Sequence, residues 1–183
     1  MEPVIVITAV AVVLGLAFVL TYNGLVRKRN RVDNSWAQVD VQLRRRYDLV
    51  PNLVEAVRGY AGHERETLEA VIEARNAAQA ASTVDEQAGA ENMLGSVLRR
   101  LFVLAEQYPQ LRATENFQAL QDQLGETENR IAVSRQIYND GMLTYNNAVQ
   151  TVPTNLVAAL TGFKTRSFFE VEDDTRSVPK VEF

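Results

Sequence analysis

The chain contains no cysteine, one histidine and one tryptophan. Without cysteine there is no disulfide framework, thiolate metal site, cysteine nucleophile or lipid-anchored lipoprotein. The single His63 sits at a Gly-rich joint and reads as a cap or surface residue. A carboxylate di-iron bundle needs a Glu-x-x-His on each of two helices, which this chain cannot supply. No phosphate loop, dinucleotide fingerprint or serine elbow occurs. A basic face is missing too: the net charge is −4, with both signs interspersed, which argues against nucleic acid as a partner. Strand-like alternation is absent until the tail. These absences point away from an enzyme and leave no cofactor or metal to expect.

What is present first is an apolar run. Val4 to Tyr22 carries no charged residue, and Arg27, Lys28, Arg29 and Arg31 follow at once. At ~1.5 Å per residue the run spans about 28 Å as a helix, close to the ~30 Å hydrocarbon core of a bilayer. Its Val, Ile, Leu and Phe residues favour insertion by roughly 0.3–0.6 kcal/mol each, about 5 kcal/mol together. Thr8 and Thr21 can bond back to helix carbonyls. The partner of residues 4–22 is therefore the lipid bilayer. All the basic flank follows the span, so the positive-inside rule puts the N-terminus outside and the remainder in the cytoplasm, at the cell (inner) membrane. A cleaved signal peptide would want positive charge before the run and an Ala-x-Ala-like site after it. The early charge is Glu2, and Thr21-Tyr22-Asn23-Gly24-Leu25 is a poor cleavage site.

Every periodic signal after the anchor is helical. Leu25, Val32, Val39, Leu53 and Tyr60 share one seam position, with Trp36, Leu43, Val50 and Val57 at the second. The membrane helix thus runs straight into the cytoplasm. Pro51 should kink it, or sit in the first turn of a helix restarted by an Asp48 cap. A second helix is expected over about 63–81. Thr83 and Glu86 form a capping box that opens a third, with Leu94, Leu98 and Leu101, stopped by Pro109. The fourth runs over about 115–150, with Phe117, Leu124, Ile131, Tyr138, Tyr145 and Val152 at a strict seven-residue spacing. Residues 157–160 suit a short helix before Gly162. Beyond it Phe163, Phe168, Phe169, Val178, Val181 and Phe183 make a tail too aromatic for plain disorder.

The fold class is therefore all-α: a single N-terminal transmembrane helix continuing into a long-helix antiparallel up-down bundle. Three regions follow: 1–24, an anchor with a short external N-terminus; 25–152, a cytoplasmic helical bundle; and 153–183, an aromatic-rich tail on the bundle. Helices one and four, near 54 Å at ~1.5 Å per residue, outrun helices two and three. Their register sets Leu53 near Leu120, Trp36 near Tyr138 and Leu25 near Ala148. The membrane-proximal stretch would leave Trp36, Ile137, Met142 and Val149 partly uncovered, the mark of an interaction surface. Another chain in trans or the aromatic tail in cis would cover them, and both have the same sequence signature.

Arg44-Arg45-Arg46 looks like a headgroup or phosphate site, but it lies about 30 Å from the membrane surface against a Debye length of ~8 Å. Asp40 and Asp48 can pair with Arg44 and Arg45 along the helix. Arg46 falls on the apolar seam, where an unpaired guanidinium is costly, and its level on helix four is near Glu128. A buried Arg46–Glu128 pair is the structural reading. Acid pairs such as Glu126/Glu128 and Asp173/Asp174 fit a solvated surface. Ala11 and Gly15 make a small-xxx-small pair within the span.

With these motifs in place the chain resembles the LemA family from end to end. The resemblance rests on Tyr22-Asn23, Leu25-Val26, Trp36, the stretch from Asp40-Val41-Gln42-Leu43-Arg44-Arg45-Arg46-Tyr47 to Asp48-Leu49-Val50-Pro51-Asn52-Leu53-Val54, and Ala74-Arg75. It continues through Ala105-Glu106-Gln107-Tyr108-Pro109, Glu115-Asn116-Phe117, Thr127-Glu128-Asn129-Arg130-Ile131-Ala132, Tyr138-Asn139, Tyr145-Asn146, Gly162-Phe163 and Phe168-Phe169. Gly141-Met142 departs from the β-branched residue common there. The resemblance implies a bacterial or archaeal single-pass membrane protein with a cytoplasmic helical bundle, and it supplies no settled biochemical function. Some relatives are encoded beside membrane zinc metalloproteases, which points to such a protease as a partner. The leading functional reading is a membrane-anchored scaffold or adaptor that self-associates or binds a membrane partner, with Trp36, Arg46, Glu128, Tyr138 and Tyr145 as structural or interaction residues. The rival is a ligand-binding or enzymatic bundle with a pocket between helices one and four, using Arg46, Tyr138 and Tyr145.

Overall fold

The computed structural model describes residues 1–171. Val178, Val181, Phe183 and the Asp173/Asp174 pair lie outside the described residues. Among the described residues six helices follow in order: α1 (Glu2–Arg58), α2 (Arg65–Ala80), α3 (Val84–Glu106), α4 (Pro109–Arg112), α5 (Glu115–Gln150) and α6 (Thr154–Thr161). Among the described residues there is no strand. Within α1, one stretch is long and apolar enough to cross a membrane, and none of it is buried. Thr8 and Thr21 donate to the carbonyls of Val4 and Ala17 at 2.8 and 2.7 Å, so neither hydroxyl is left unbonded.

The chain forms two compact units: Met1–Asp40 with Val133–Ser167, and Val41–Ala132 with the segment beginning at Phe168. In the first unit the expected register is present. Trp36 lies against Tyr138 with ring centroids 5.1 Å apart. Leu25 is buried together with Val157 and Ala158, and Ala148, Val149 and Phe163 close over that cluster. Moving from Trp36 to Leu25 therefore moves from Tyr138 to Ala148, which makes the two long helices antiparallel here. The unit is not the bare two-helix stalk that helix lengths alone suggest. Helix α6 and the extended residues after Gly162 lie on it; Met142, expected to be partly uncovered, is fully buried, while Ile137 stays 49% exposed. Gly162 ends α6 in the left-handed region at φ 77°, a conformation that disfavours any side chain.

The second unit gathers the α1 segment from Val41, helices α2 to α4 and the first half of α5. Val50, Leu53, Val57, Val71, Leu94 and Leu101 are completely covered and make its core. The capping box at α3 is formed: Thr83 Oγ1 accepts from the Glu86 amide at 3.2 Å, and the Glu86 carboxylate accepts from the Thr83 amide at 3.2 Å. Ser82 adds its own amide and hydroxyl, at 3.0 and 2.8 Å. Those donors, the Ser82 amide first, hold the Glu86 carboxyl below its ordinary range. Pro109 does stop α3, but it also opens α4, where a proline at the first helical position loses nothing.

Pro51 does not start a new helix after an Asp48 cap. It sits inside an α1 that ends only at Arg58, so Tyr60 lies beyond the helix and is 45% exposed. A proline cannot donate to the carbonyl four residues back, which leaves the Tyr47 carbonyl without its helical partner. Arg75 of α2 fills the gap: its Nε donates to the Tyr47 oxygen at 3.1 Å. The helix passes through Pro51 because a neighbouring helix supplies the missing donor. Arg75→Ala should therefore destabilise the protein by about 1.5–3 kcal/mol, the range for a hydrogen bond to a charged group. In a Pro51→Ala background, which restores the amide, the same change should cost clearly less. Thermal unfolding of the four proteins in one detergent checks the coupling, and simple additivity would show that Arg75 acts elsewhere.

Candidate functional site

Arg46 is where the arginine run turns inward. Arg44 and Arg45 are exposed, while Arg46 is 8% exposed. Its guanidinium does reach Glu128 of α5, Nη1 to Oε2 at 3.3 Å, but the Glu128 side chain is 59% exposed. The inner partner is Glu91 of α3, whose Oε2 receives the same Nη1 at 3.0 Å and whose side chain is 2% exposed. The other Glu91 oxygen accepts from the Tyr47 hydroxyl and from Gln87 Nε2, the latter at 3.2 Å. Gln87 also donates to the Tyr47 hydroxyl at 2.7 Å and to the Ala78 carbonyl at 3.1 Å. The cluster thus ties α1, α2, α3 and α5 within the second unit.

Burial is the largest influence on Glu91 and raises its pKa. Arg46, then the Tyr47 and Gln87 donors, pull it down, and the Glu128 charge pushes it up slightly. Tyr47 is driven well above its ordinary range, by burial first and by the Glu91 charge second, so it stays a neutral donor. A perturbed buried carboxylate can mark a catalytic acid. Here each oxygen of Glu91 is engaged by donors of the same chain. The arrangement holds the helices in register.

Sequence reasoning found Arg46 and Glu128 and missed Glu91, Gln87 and Tyr47. The signal existed. Gln87 and Glu91 lie four apart and continue the spacing of Leu94, Leu98 and Leu101, so they are polar residues on the apolar stripe of α3. The argument that singled out Arg46 applies equally to them.

The other sequence-identified residues, Trp36, Tyr138 and Tyr145, belong to the first unit, where Trp36 packs on Tyr138 and the two tyrosines hold the tail. Tyr145 Oη donates to the Lys164 carbonyl at 2.9 Å, and Tyr138 Oη to the Ser167 carbonyl at 3.1 Å. Between them Asn146 pairs with Arg166 as a neighbouring strand would. Its Nδ2 donates to the Arg166 carbonyl at 2.9 Å, and its Oδ1 accepts the Arg166 amide at 3.0 Å. The Arg166 side chain crosses Tyr145 at 5.8 Å and pairs with Asp33. The polar ends of Tyr138 and Tyr145 are thus spent on the backbone of residues 164–167.

Two outcomes follow for the ionic cluster. Removing Arg46 strands Glu91 in the interior, and removing Glu91 leaves the buried Arg46 only the water-exposed Glu128, so Arg46→Ala and Glu91→Ala should each cost about 3–5 kcal/mol and be far from additive. Glu128→Ala should cost below about 1 kcal/mol, because its carboxylate is largely in water. Unfolding of the full-length protein in mild detergent ranks them; a Glu128 cost equal to that of Glu91 would restore the simple Arg46–Glu128 pair. The second outcome concerns pH. The folded state binds a proton at Glu91 more readily than the unfolded chain, whose carboxyl keeps the ordinary 4.5. Stability at this group is therefore greatest below 4.5 and is lost as pH rises through the raised folded value. The stability of the native protein minus that of Glu91→Gln should grow as pH falls from neutral toward 4.5. A shrinking difference would mean that Arg46 outweighs burial.

The LemA family model matches residues 35–183. The chain is 26% identical to magnetosome protein MamQ 2 of Paramagnetospirillum magneticum, over 92% of this chain and 73% of that protein. It is 25% identical to magnetosome protein MamQ of Magnetospirillum gryphiswaldense, over 91% and 72%. Protein LemA of Metamycoplasma hominis is 24% identical over 84% of this chain and 71% of its own length. The matched span contains the Arg46 cluster and the tail clasp, so the chain described here belongs to the LemA family.

Proposed function

We propose that the protein is a membrane-anchored, non-enzymatic helical scaffold or adaptor whose bundle lies in the cytoplasm and either self-associates or binds a membrane partner. The observation that carries this reading is the outer face of α5. Tyr138, Met142 and Tyr145 close its inner face, whereas Val133, Ile137 and Leu143 stand 59%, 49% and 51% exposed over just under three turns. Clustered apolar exposure on a rigid helix suits a protein partner better than water. The competing pocket reading needs the polar ends of Arg46, Tyr138 and Tyr145. Each is committed to a partner within the chain, which weighs against it. The orientation rests on the basic residues 27–31 that follow the span, which favour the cytoplasmic side.

A reporter fused after Phe183 should be active only in the cytoplasm, and protease should not reach the bundle in wall-stripped cells. In the same membranes, Ile137→Glu should shift the native protein to smaller assemblies by sedimentation after mild solubilisation, with helical content unchanged. Native protein that sediments as a lone monomer, indifferent to Ile137→Glu, would remove the scaffold reading.

A further inference from the structure

Helix α6 has two apolar faces and only one of them is covered by protein. Val157 and Ala158 face inward and are 8% and 1% exposed. Leu156 and Leu160, one turn apart on the far side, are 63% and 79% exposed, and Val152 just before the helix is 78% exposed. From Thr151 to Phe163 no residue is charged. Outside the span of α1, the other exposed large apolar residues, such as Val41, Val103 and Val133, have charged residues within a turn of them.

The position of this segment within its unit explains the pattern. The inward face of α6 lies on Leu25, three residues past Tyr22, the end of the span read from the sequence, and two before Arg27, the first charge after it. Three residues of helix rise about 4.5 Å. The headgroup layer on each side of the hydrocarbon is about 5–7 Å deep. A helix seated on Leu25 is therefore at headgroup depth. The ring of Phe163 at the end of α6 meets Tyr22 edge-on, with centroids 5.9 Å apart. The Arg29 guanidinium lies over the other side of that system, 5.3 Å from the Phe163 centroid. Aromatic rings beside a basic side chain, one end apolar and the other wet, are what the membrane–water boundary favours.

We propose that α6 is an interfacial helix: Val152, Leu156 and Leu160 seat in the headgroup–acyl boundary of the same bilayer that α1 crosses, and so fix the first unit against the membrane surface. An isolated segment this short would bind lipid weakly. Here α1 already holds it at the surface, so seating is intramolecular and carries no association cost. The inference rests on α1 as the span and is independent of the scaffold role.

The absence of cysteine makes the test direct, since one introduced cysteine takes one label. Full-length Leu156→Cys, Leu160→Cys, Gln136→Cys and Leu14→Cys are labelled with an environment-sensitive fluorophore and placed in phospholipid nanodiscs. Quenching is read with lipids carrying a nitroxide near the headgroup, with lipids carrying it deep in the chain, and with aqueous iodide. Labels at Leu156 and Leu160 should show blue-shifted emission, loss of intensity with the shallow nitroxide and protection from iodide. The exposed Gln136 label should respond to iodide alone. Iodide access at both α6 positions would overturn the proposal, and so would protection from iodide and nitroxide together, which would mean that another chain covers the face. Leu14 reports the span separately: quenching there by the deep nitroxide, with α6 in water, would reject the interfacial helix and keep the anchor.

Discussion

A single turn of α1 carries two debts that the helix cannot settle alone. Arg46 puts a permanent charge in the interior, and Pro51 leaves the next residue's carbonyl, that of Tyr47, without its helical donor. Glu91 and Glu128 answer the charge from α3 and α5, and Arg75 answers the carbonyl from α2. Three helices are thereby fixed around one turn by groups that tolerate little displacement. A core of Leu and Val alone could slide by a heptad with modest loss, because its seams are alike. A buried charge with a directional partner admits one register, the best-attested use of such pairs.

The first unit is held by a different device. Tyr138, Tyr145 and Asn146 bond to backbone atoms of residues 164–167, not to their side chains. The Asn146 amide stands in for a strand edge, offering one donor and one acceptor where an extended chain presents their complements. Such a clasp reads conformation, so the side chains of Lys164 and Ser167 are not specified by it. Arg166 is the exception, because its guanidinium also meets Asp33 and the Tyr145 ring. Gly141 of α5 faces α1 with room to spare. A Cβ there would meet Val32 and Ser35 only at ordinary contact, 3.8 Å.

Much of this architecture was legible in the sequence, because helix periodicity and caps are local signals. The seven-residue spacing from Phe117 to Tyr145 delimits α5, Thr83 and Glu86 announce the start of α3, and the facing of Trp36 with Tyr138 follows from counting along two helices. What escaped were relations that sequence spacing does not encode. Pro51 reads as a kink or a restart unless the donor on α2 is known. Arg46 reads as a partner for Glu128 because both lie on the long helices, whereas the deeper partner Glu91 sits on a helix whose facing was not counted. The tail clasp was invisible for a further reason: its acceptors are backbone carbonyls, which every residue carries.

The polar residues that look most like an active site are therefore the ones the fold consumes. Tyr47, Gln87 and Glu91 satisfy one another around Arg46, and Tyr138 and Tyr145 are capped by the tail. A buried polar group earns its place only when partnered, and these are partnered internally. The apolar side chains that stand outward are those of the span of α1, Val152, Leu156 and Leu160 around α6, and Val133, Ile137 and Leu143 on α5. Exposed apolar surface on a stiff helical frame suits contact with lipid or with other helices.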